Sequence, residues 1–189
     1  MDASEPRAQS VLTFWFGQGG RDRRWFEKSD AFDAEVRRRF LALYEQAAAG
    51  ALAGWRDEPG ACLALIVALD QFPRNMFRGT PRAFATDDLA LDAARHALAR
   101  GYDRAMQPVE RMFVYLPFEH AESLAEQEKA CALTRPLEAF AETDDVYRYA
   151  LAHRDVIARF GRFPHRNAVL GRASTPEEIE FLKRPGSSF

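Results

Sequence analysis

The apolar residues of this sequence recur at intervals of three and four residues, in stretches separated by Gly, Pro and helix-capping residues. The alternation of period two that marks a half-buried strand is almost entirely missing. One such stretch can be capped by Ser29 or Asp30 and is stopped by Gly50. Its apolar face is formed by Phe32, Val36, Phe40, Leu43, Tyr44 and Ala47. These patterns predict an all-α chain of about eight or nine helices.

Prolines and capping residues predict where several helices begin and end. Residues 61–69 are apolar all round, as in a helix buried on every side, and Pro73 is expected to break that helix. Pro117 is expected to interrupt a second one. Thr86 can cap one helix and Asp144 can open another that runs to residue 160. A capping box for a short last helix is formed by Thr175, Pro176 and Glu178.

Length and charge limit the class of protein. The 189 residues fit one core, and no linker is visible, so a single domain spanning 1–189 is expected. A net charge of -2 provides no global positive field for nucleic acid or anionic lipid. Residues 1–10 do not resemble a secretory signal, and the longest apolar run is too short to span a bilayer, so a cytoplasmic location is expected. Cys62 and Cys131 lack partners at metal-ligand spacing, and no cofactor is indicated.

Several polar residues fall on apolar helix faces. His153 lies three residues after Ala150 and four before Ile157, and His120 shares a helical line with Leu124 and Gln127, so both are expected to point inward. A core histidine bonded to a carbonyl is the structural explanation, particularly for His153. Asp70 ends the all-apolar helix and needs a cation or several donors, for which Arg74, four residues on, is the nearest candidate.

The segment from Phe160 to Arg172 is rich in arginine and lacks acidic residues. No Asp or Glu occurs in residues 156–176, while the segment itself holds Arg162, Arg166 and Arg172 together with His165 and Asn167. Gly161, Pro164 and Gly171 constrain its backbone. Such a loop can bind phosphate, carboxylate or a peptide C-terminus through forked hydrogen bonds, or it can neutralise acids of the fold such as Glu119, Glu122 and Asp70.

Two short phrases in the sequence echo one another. Residues 163–167 read Phe-Pro-His-Arg-Asn, and residues 72–75 read Phe-Pro-Arg-Asn. Both are expected to place Arg and Asn just beyond a helix end, where they could converge on one cleft. The candidate ligand-binding residues are Arg74, Asn75, His120, Glu122, His153, Arg162, His165, Arg166 and Asn167.

Four motifs together resemble the bacterial domain of unknown function 924 family over nearly the whole chain. They are Phe14-Trp15-Phe16-Gly17, Asp70 through Asn75, Pro117 through Glu122 with Gln127, and Phe160 through Arg172 followed by Ser174-Thr175. The resemblance implies an all-helical, tetratricopeptide-like fold of antiparallel helix pairs, and it implies no activity. The consensus of tetratricopeptide repeats proper is not visible at their usual period of about 34 residues.

Three hypotheses of function remain open. The first is a binding module whose cleft holds a small anion or an acidic peptide end. The second is a hydrolase-type enzyme in which His120 or His153 is the general base, Glu122 orients it, and arginines stabilise developing negative charge. A variant places a divalent metal on these three residues and His165, although no tight ligand spacing supports it. The third is a structural lock in which the arginine-rich segment pairs with buried acids.

Overall fold

The computed structural model describes residues 6–17 and 19–188, and over these residues the chain is all-α, as predicted. Eight α-helices, joined mostly by short 3₁₀ helices, make up the described part. Their bounds are α1 Pro6–Phe16, α2 Asp30–Ala48, α3 Pro59–Met76, α4 Asp87–Ala99, α5 Pro108–His120, α6 Leu124–Thr134, α7 Val146–Phe160 and α8 Pro176–Leu182. No strand occurs among these described residues.

Helix α3 lies at the centre of the core. Every residue from 61 to 73 is buried, because α1, α2, α4 and α5 all pack against this helix. The prediction of a helix buried on every side is therefore confirmed. Neighbouring helices in the chain also pack in sequence, α5 on α6 and α6 on α7. A tetratricopeptide-like pairing of these helices stays a prediction.

Pro73 does not end α3, so the prediction of a break there is wrong. The helix continues to Met76 although Pro73 has no N–H to donate to the carbonyl of Leu69. The hydroxyl of Thr86 donates to that carbonyl instead, at 2.5 Å. Thr86 precedes α4 but makes no side-chain cap bond there. Arg74 and Asn75 accordingly lie in the last turn of α3 rather than beyond its end.

Pro117 is likewise accommodated inside α5, which continues to His120. The chain leaves the helix at Ala121, whose backbone is extended with φ -74° and ψ 134°. Helix α6 then begins at Leu124. The predicted interruption therefore occurs four residues later than expected, and it makes His120 the last residue of α5.

The other boundaries follow local chemistry. Ser29 accepts a hydrogen bond from the N–H of Phe32 at the start of α2, and both bonds of the capping box at Thr175 are present. Helix α7 begins at Val146, two residues after the predicted start, and ends at Phe160, where it is followed by Gly161, whose φ of 69° suits glycine.

The aromatic motif near the N-terminus belongs to the core. Trp15 is 1% exposed, and its ring lies 6.2 Å from that of Trp25 and 5.7 Å from those of Phe72 and Phe113. These contacts tie α1 to α3 and α5. Within the described part of the chain, no helix is both long enough and apolar enough to cross a membrane.

Candidate functional site

A buried carboxylate and a histidine meet between α3 and α5. Asp70 is 1% exposed, and its Oδ1 lies 2.7 Å from Nδ1 of His120. Gln71 donates to the other oxygen of Asp70 at 2.6 Å. Burial alone would raise the pKa of Asp70, but the charge of Arg74, together with the hydrogen bonds from His120 and Gln71, outweighs it and holds that pKa well below its usual range. Asp70 is therefore ionised at neutral pH.

The ionised partner fixes the tautomer of His120. Burial, and next the charge of Arg74, lower the pKa of His120, so the ring is neutral at neutral pH. A carboxylate can only accept, so Nδ1 carries the hydrogen and Nε2 holds a lone pair. No residue in the ranges 6–17 and 19–188 hydrogen-bonds to Nε2, and 13% of the side chain is exposed. Nε2 is thus available as a base or as an acceptor.

Two guanidinium groups share one carboxylate beside this pair. Arg74 donates to both oxygens of Asp87, at 2.9 and 3.1 Å, and Nη1 of Arg166 lies 3.3 Å from Asp87 Oδ2. Arg74 also donates to the backbone carbonyl of Asp70 at 2.5 Å, and Arg166 to that of His120 at 3.0 Å. The four charged side chains and His120 form what we call the His120 cluster: Asp70, Arg74, Asp87, His120 and Arg166.

Arg166 is unusually buried for an arginine. Its side chain is 7% exposed, and the guanidinium lies 4.4 Å from the ring centre of Phe163 and 4.7 Å from that of Phe84. Burial, and next the charge of Arg74, lower its pKa to about 10. Its Nε is buried and has no hydrogen-bond partner in the described part of the chain. Arg166 therefore remains charged at neutral pH with hydrogen-bonding capacity unused.

His153 and Glu119 adjoin the His120 cluster from inside. Nδ1 of His153 donates to the carbonyl of Tyr149 at 2.8 Å, so the predicted core-histidine contact is confirmed. Glu119 Oε2 lies 3.6 Å from the same nitrogen, and the rings of His153 and His120 are 6.4 Å apart. Burial lowers the pKa of His153 to about 3 and raises that of Glu119 to about 8. Both groups are therefore mainly neutral at neutral pH.

Comparison with known proteins places the chain in a family. The family described as "Bacterial protein of unknown function (DUF924)" matches residues 11–186. The chain belongs to this family. The DUF924 member is also similar to a solved structure of a protein of unknown function from Agrobacterium tumefaciens, with 44% identity, a TM-score of 0.87, and coverage of 94% of this chain and 97% of that one. No curated protein matches this sequence.

Three of the four motifs on which the family resemblance rests meet at the His120 cluster. Helix α3 provides Asp70 and Arg74, α5 provides His120, and the loop after α7 provides Arg166. His165 lies next to Arg166, and burial, followed by the charge of Arg166, lowers the pKa of His165 to about 4. The arginine-rich segment thus contributes one arginine to this DUF924 cluster.

Glu122 does not hold His120 or His153. Its carboxylate accepts from Arg172 at 2.6 and 2.9 Å and from the N–H of Phe163 at 2.7 Å. Asp70 orients His120 instead, because it approaches the ring from α3. Glu122 serves to join the turn after α5 to the arginine-rich segment.

Three other candidate residues make contacts outside the cluster. Asn75 donates to Asp33 at 2.7 Å, and Asp33 also pairs with Arg78. Arg162 donates to both oxygens of Glu178, at 2.7 and 2.9 Å. Asn167 is fully buried, and its amide donates to Ser174 and Glu178. The contact of Asn75 joins α3 to α2, whereas those of Arg162 and Asn167 fix α8 and its flanking loop, as a structural lock would.

The candidate ligand-binding residues include neither Asp70 nor Asp87 of the His120 cluster, nor the adjoining Glu119, and for Asp70 the sequence predicts only an ion pair. Asp87 is the first residue of α4, where an acid is adequately explained by the helix dipole. Glu119 shares a polar stretch with Glu122, which is typical of a solvated face. Only the packing of α3, α4 and α5 on one another distinguishes these carboxylates from ordinary surface acids.

The His120 cluster is a partly exposed polar site. Two surface cavities, of about 340 and 650 Å³, are lined by other residues. One lies at Phe16, Gly19 and Gly20 with the start of α5, and the other lies between α1 and α2. Within residues 6–17 and 19–188, no group of three or more His, Cys, Asp or Glu side chains is arranged to hold a metal ion. The cluster itself offers a neutral imidazole beside guanidinium groups.

Proposed function

We propose that this DUF924 protein is a hydrolase-type enzyme in which His120 is the general base and Asp70 orients it. The observation that carries the proposal is the 2.7 Å contact between Nδ1 of His120 and a carboxylate that is 1% exposed. A carboxylate in this position holds the imidazole in one tautomer and stabilises the imidazolium that forms when Nε2 takes a proton.

The proposed step uses water as the attacking group, because no Ser, Thr or Cys side chain of the described residues hydrogen-bonds to His120. The water oxygen forms a bond to the carbonyl carbon or phosphorus of an ester while Nε2 accepts one water proton. The bond from that atom to the leaving oxygen then breaks, and the leaving oxygen takes the proton back from Nε2. The net reaction converts ester and water into acid and alcohol.

The neighbouring charges suit this chemistry. Arg166 donates to the backbone carbonyl of His120, and Arg74 contacts Asp70, so both guanidinium groups lie against the pair. Their positive charge favours, through space, the negative charge that develops during attack, while their donors contact Asp87 and backbone carbonyls. A purely structural role is better suited to Arg162 and Arg172, whose carboxylate partners join the C-terminal segment to the rest of the fold.

Hydrolysis of p-nitrophenyl acetate and p-nitrophenyl phosphate tests the proposal. His120→Gln and Asp70→Asn are expected to lower the rate on the accepted substrate by about 100-fold or more. His96→Gln is the control, because His96 contacts the carbonyl of Arg56 and lies outside the cluster. Wild-type rates equal to those of His120→Gln on both substrates would overturn the proposal.

A further inference from the structure

Asp87 occupies a position between two guanidinium groups that a ligand anion could also occupy. Its two oxygens accept from Arg74 at 2.9 and 3.1 Å, and one of them lies 3.3 Å from Arg166. Arg74 thus makes a forked contact with this carboxylate and Arg166 adds a single contact, and arginines placed in this way bind carboxylate and phosphate groups. The site thus already holds an anion, supplied by the chain itself.

Arg166 is incompletely satisfied by that internal anion. Its contact with Asp87 is at the long end of the hydrogen-bond range, and its buried Nε has no hydrogen-bond partner among the described residues. A buried guanidinium with an unused donor is costly in a folded protein. A ligand group with two or three acceptor oxygens could contact this guanidinium more closely than Asp87 does.

Moving Asp87 out of this position costs less free energy than moving Asp70 out of its own would. It is 17% exposed and is the first residue of α4, whereas Asp70 is 1% exposed beneath the site. At a helix N-terminus a carboxylate turned toward solvent keeps a favourable interaction with the helix dipole. When a singly charged group replaces it, the charge facing Arg74 and Arg166 is unchanged.

We infer that the His120 site takes a substrate bearing a carboxylate or phosphate group, which binds Arg166 and Arg74 in place of Asp87. The inference rests on the proposed function for the identity of the reacting site. It adds the substrate class: an ester whose anionic group binds the two arginines while its reacting atom faces Nε2 of His120. Asp87 competes with this anion in the free protein.

Calorimetric titration with inorganic phosphate, and separately with acetate, tests this inference and distinguishes the two anions. Asp87→Asn, which removes the competing charge, is expected to tighten binding of the accepted anion about tenfold or more. Arg166→Gln is expected to abolish it, and Arg166→Lys, which keeps the charge but loses the fork, to weaken it. Arg159→Gln is the control, because this arginine belongs to the same region but pairs with Glu177 on the surface.

Two results would overturn the inference. One is that neither anion binds wild type or Asp87→Asn. The other is that Arg159→Gln weakens binding as much as Arg166→Gln, which would show a general effect of charge. Thermal melts of each variant establish that it is folded, and Arg166→Lys provides a second test if Arg166→Gln does not fold. Anion binding without any His120-dependent hydrolysis would refute the proposed function alone, and hydrolysis without anion binding would refute this inference alone.

Discussion

The hydroxyl of Thr86 donates to the carbonyl of Leu69 at 2.5 Å, which is the carbonyl that Pro73 leaves without an N–H. This bond lets α3 continue through a proline to Met76. It also fixes the start of α4 against the last turns of α3. Asp87, the next residue after Thr86, is thereby placed within reach of Arg74.

Thr86→Val is expected to lower the free energy of unfolding by about 1–3 kcal/mol, because it leaves the buried carbonyl of Leu69 without a donor. Urea unfolding measures this loss. Thr80→Val is the matched control, since Thr80 donates to the carbonyl of Phe77 in the same way but is exposed. Equal losses in the two variants would contradict a special role for the Thr86 bond.

The contact between Asp70 and His120 predicts a pH dependence of hydrolysis. His120 acts as a base only when neutral, so kcat/KM should rise with pH through its pKa, which burial places below the ordinary 6.5, and then level off. Asp70 raises that pKa, opposing burial and Arg74. Asp70→Asn should therefore shift the inflection to lower pH and reduce the plateau by about 100-fold. An inflection that moves to higher pH in Asp70→Asn would count against the assignment.

The helices could be predicted from sequence because their apolar faces and caps are local signals. The capping box at Thr175 and the stop at Gly161 depend on residues within one turn, and both are present. The effects of Pro73 and Pro117 could not be predicted from local signals in this way. Whether Pro73 breaks a helix depends on whether a distant side chain satisfies the freed carbonyl, and Thr86, 17 residues away from Leu69, does so.

The cluster could be predicted in part. Asp70, His120 and Arg166 stand out as polar residues in apolar or acid-free surroundings, and the fold brings them together. Which acid orients which histidine could not be read from spacing. Glu122 is only two residues from His120 but is held by Arg172, whereas Asp70 reaches the ring from 50 residues away. Such pairings depend on helix packing, which spacing along one helix does not encode.

Arg162 and Arg159 form a test of the structural role of the arginine-rich region. Arg162 pairs with Glu178, whose side chain is only 2% exposed, whereas the partner of Arg159 is an exposed glutamate. Hydrogen bonds from Arg162, opposed by burial, lower the pKa of Glu178 to about 2. Arg162→Ala should therefore lower Tm by about 5 °C or more at neutral pH, and Arg159→Ala by less than about 2 °C.

The contact between Arg162 and Glu178 also predicts how the Tm difference between Arg162→Ala and wild type changes in acid. Because the pKa of Glu178 is lowered in the folded state, its stabilising contribution is present above its ordinary pKa of 4.5 and is lost as pH falls toward about 2. The Tm difference between Arg162→Ala and wild type should shrink over that range. A Tm difference that stays constant as pH falls to about 2 would show that Glu178 is not the group through which Arg162 stabilises the fold.

Glu119 predicts a dependence of stability on pH that is opposite to that of Glu178. Burial raises the pKa of this carboxyl from 4.5 to about 8, so the folded protein favours the neutral acid. Above pH 4.5 the unfolded chain releases the proton and the folded one retains it, so stability falls with rising pH until the folded group also ionises. Glu119→Gln removes this cost while keeping the size of the side chain.

Glu119→Gln should therefore raise Tm by about 5 °C at alkaline pH, and by less than about 2 °C near pH 4, where the carboxyl is largely neutral in both states. Calorimetric melts across this range measure the effect, and Glu128→Gln is the control because Glu128 is exposed on α6. A gain from Glu119→Gln that is larger in acid than in alkali would mean that Glu119 is ionised in the folded protein. In that case the carboxylate would be paired with a protonated His153, from which it lies 3.6 Å away, and the charge beside His120 would need to be reassigned.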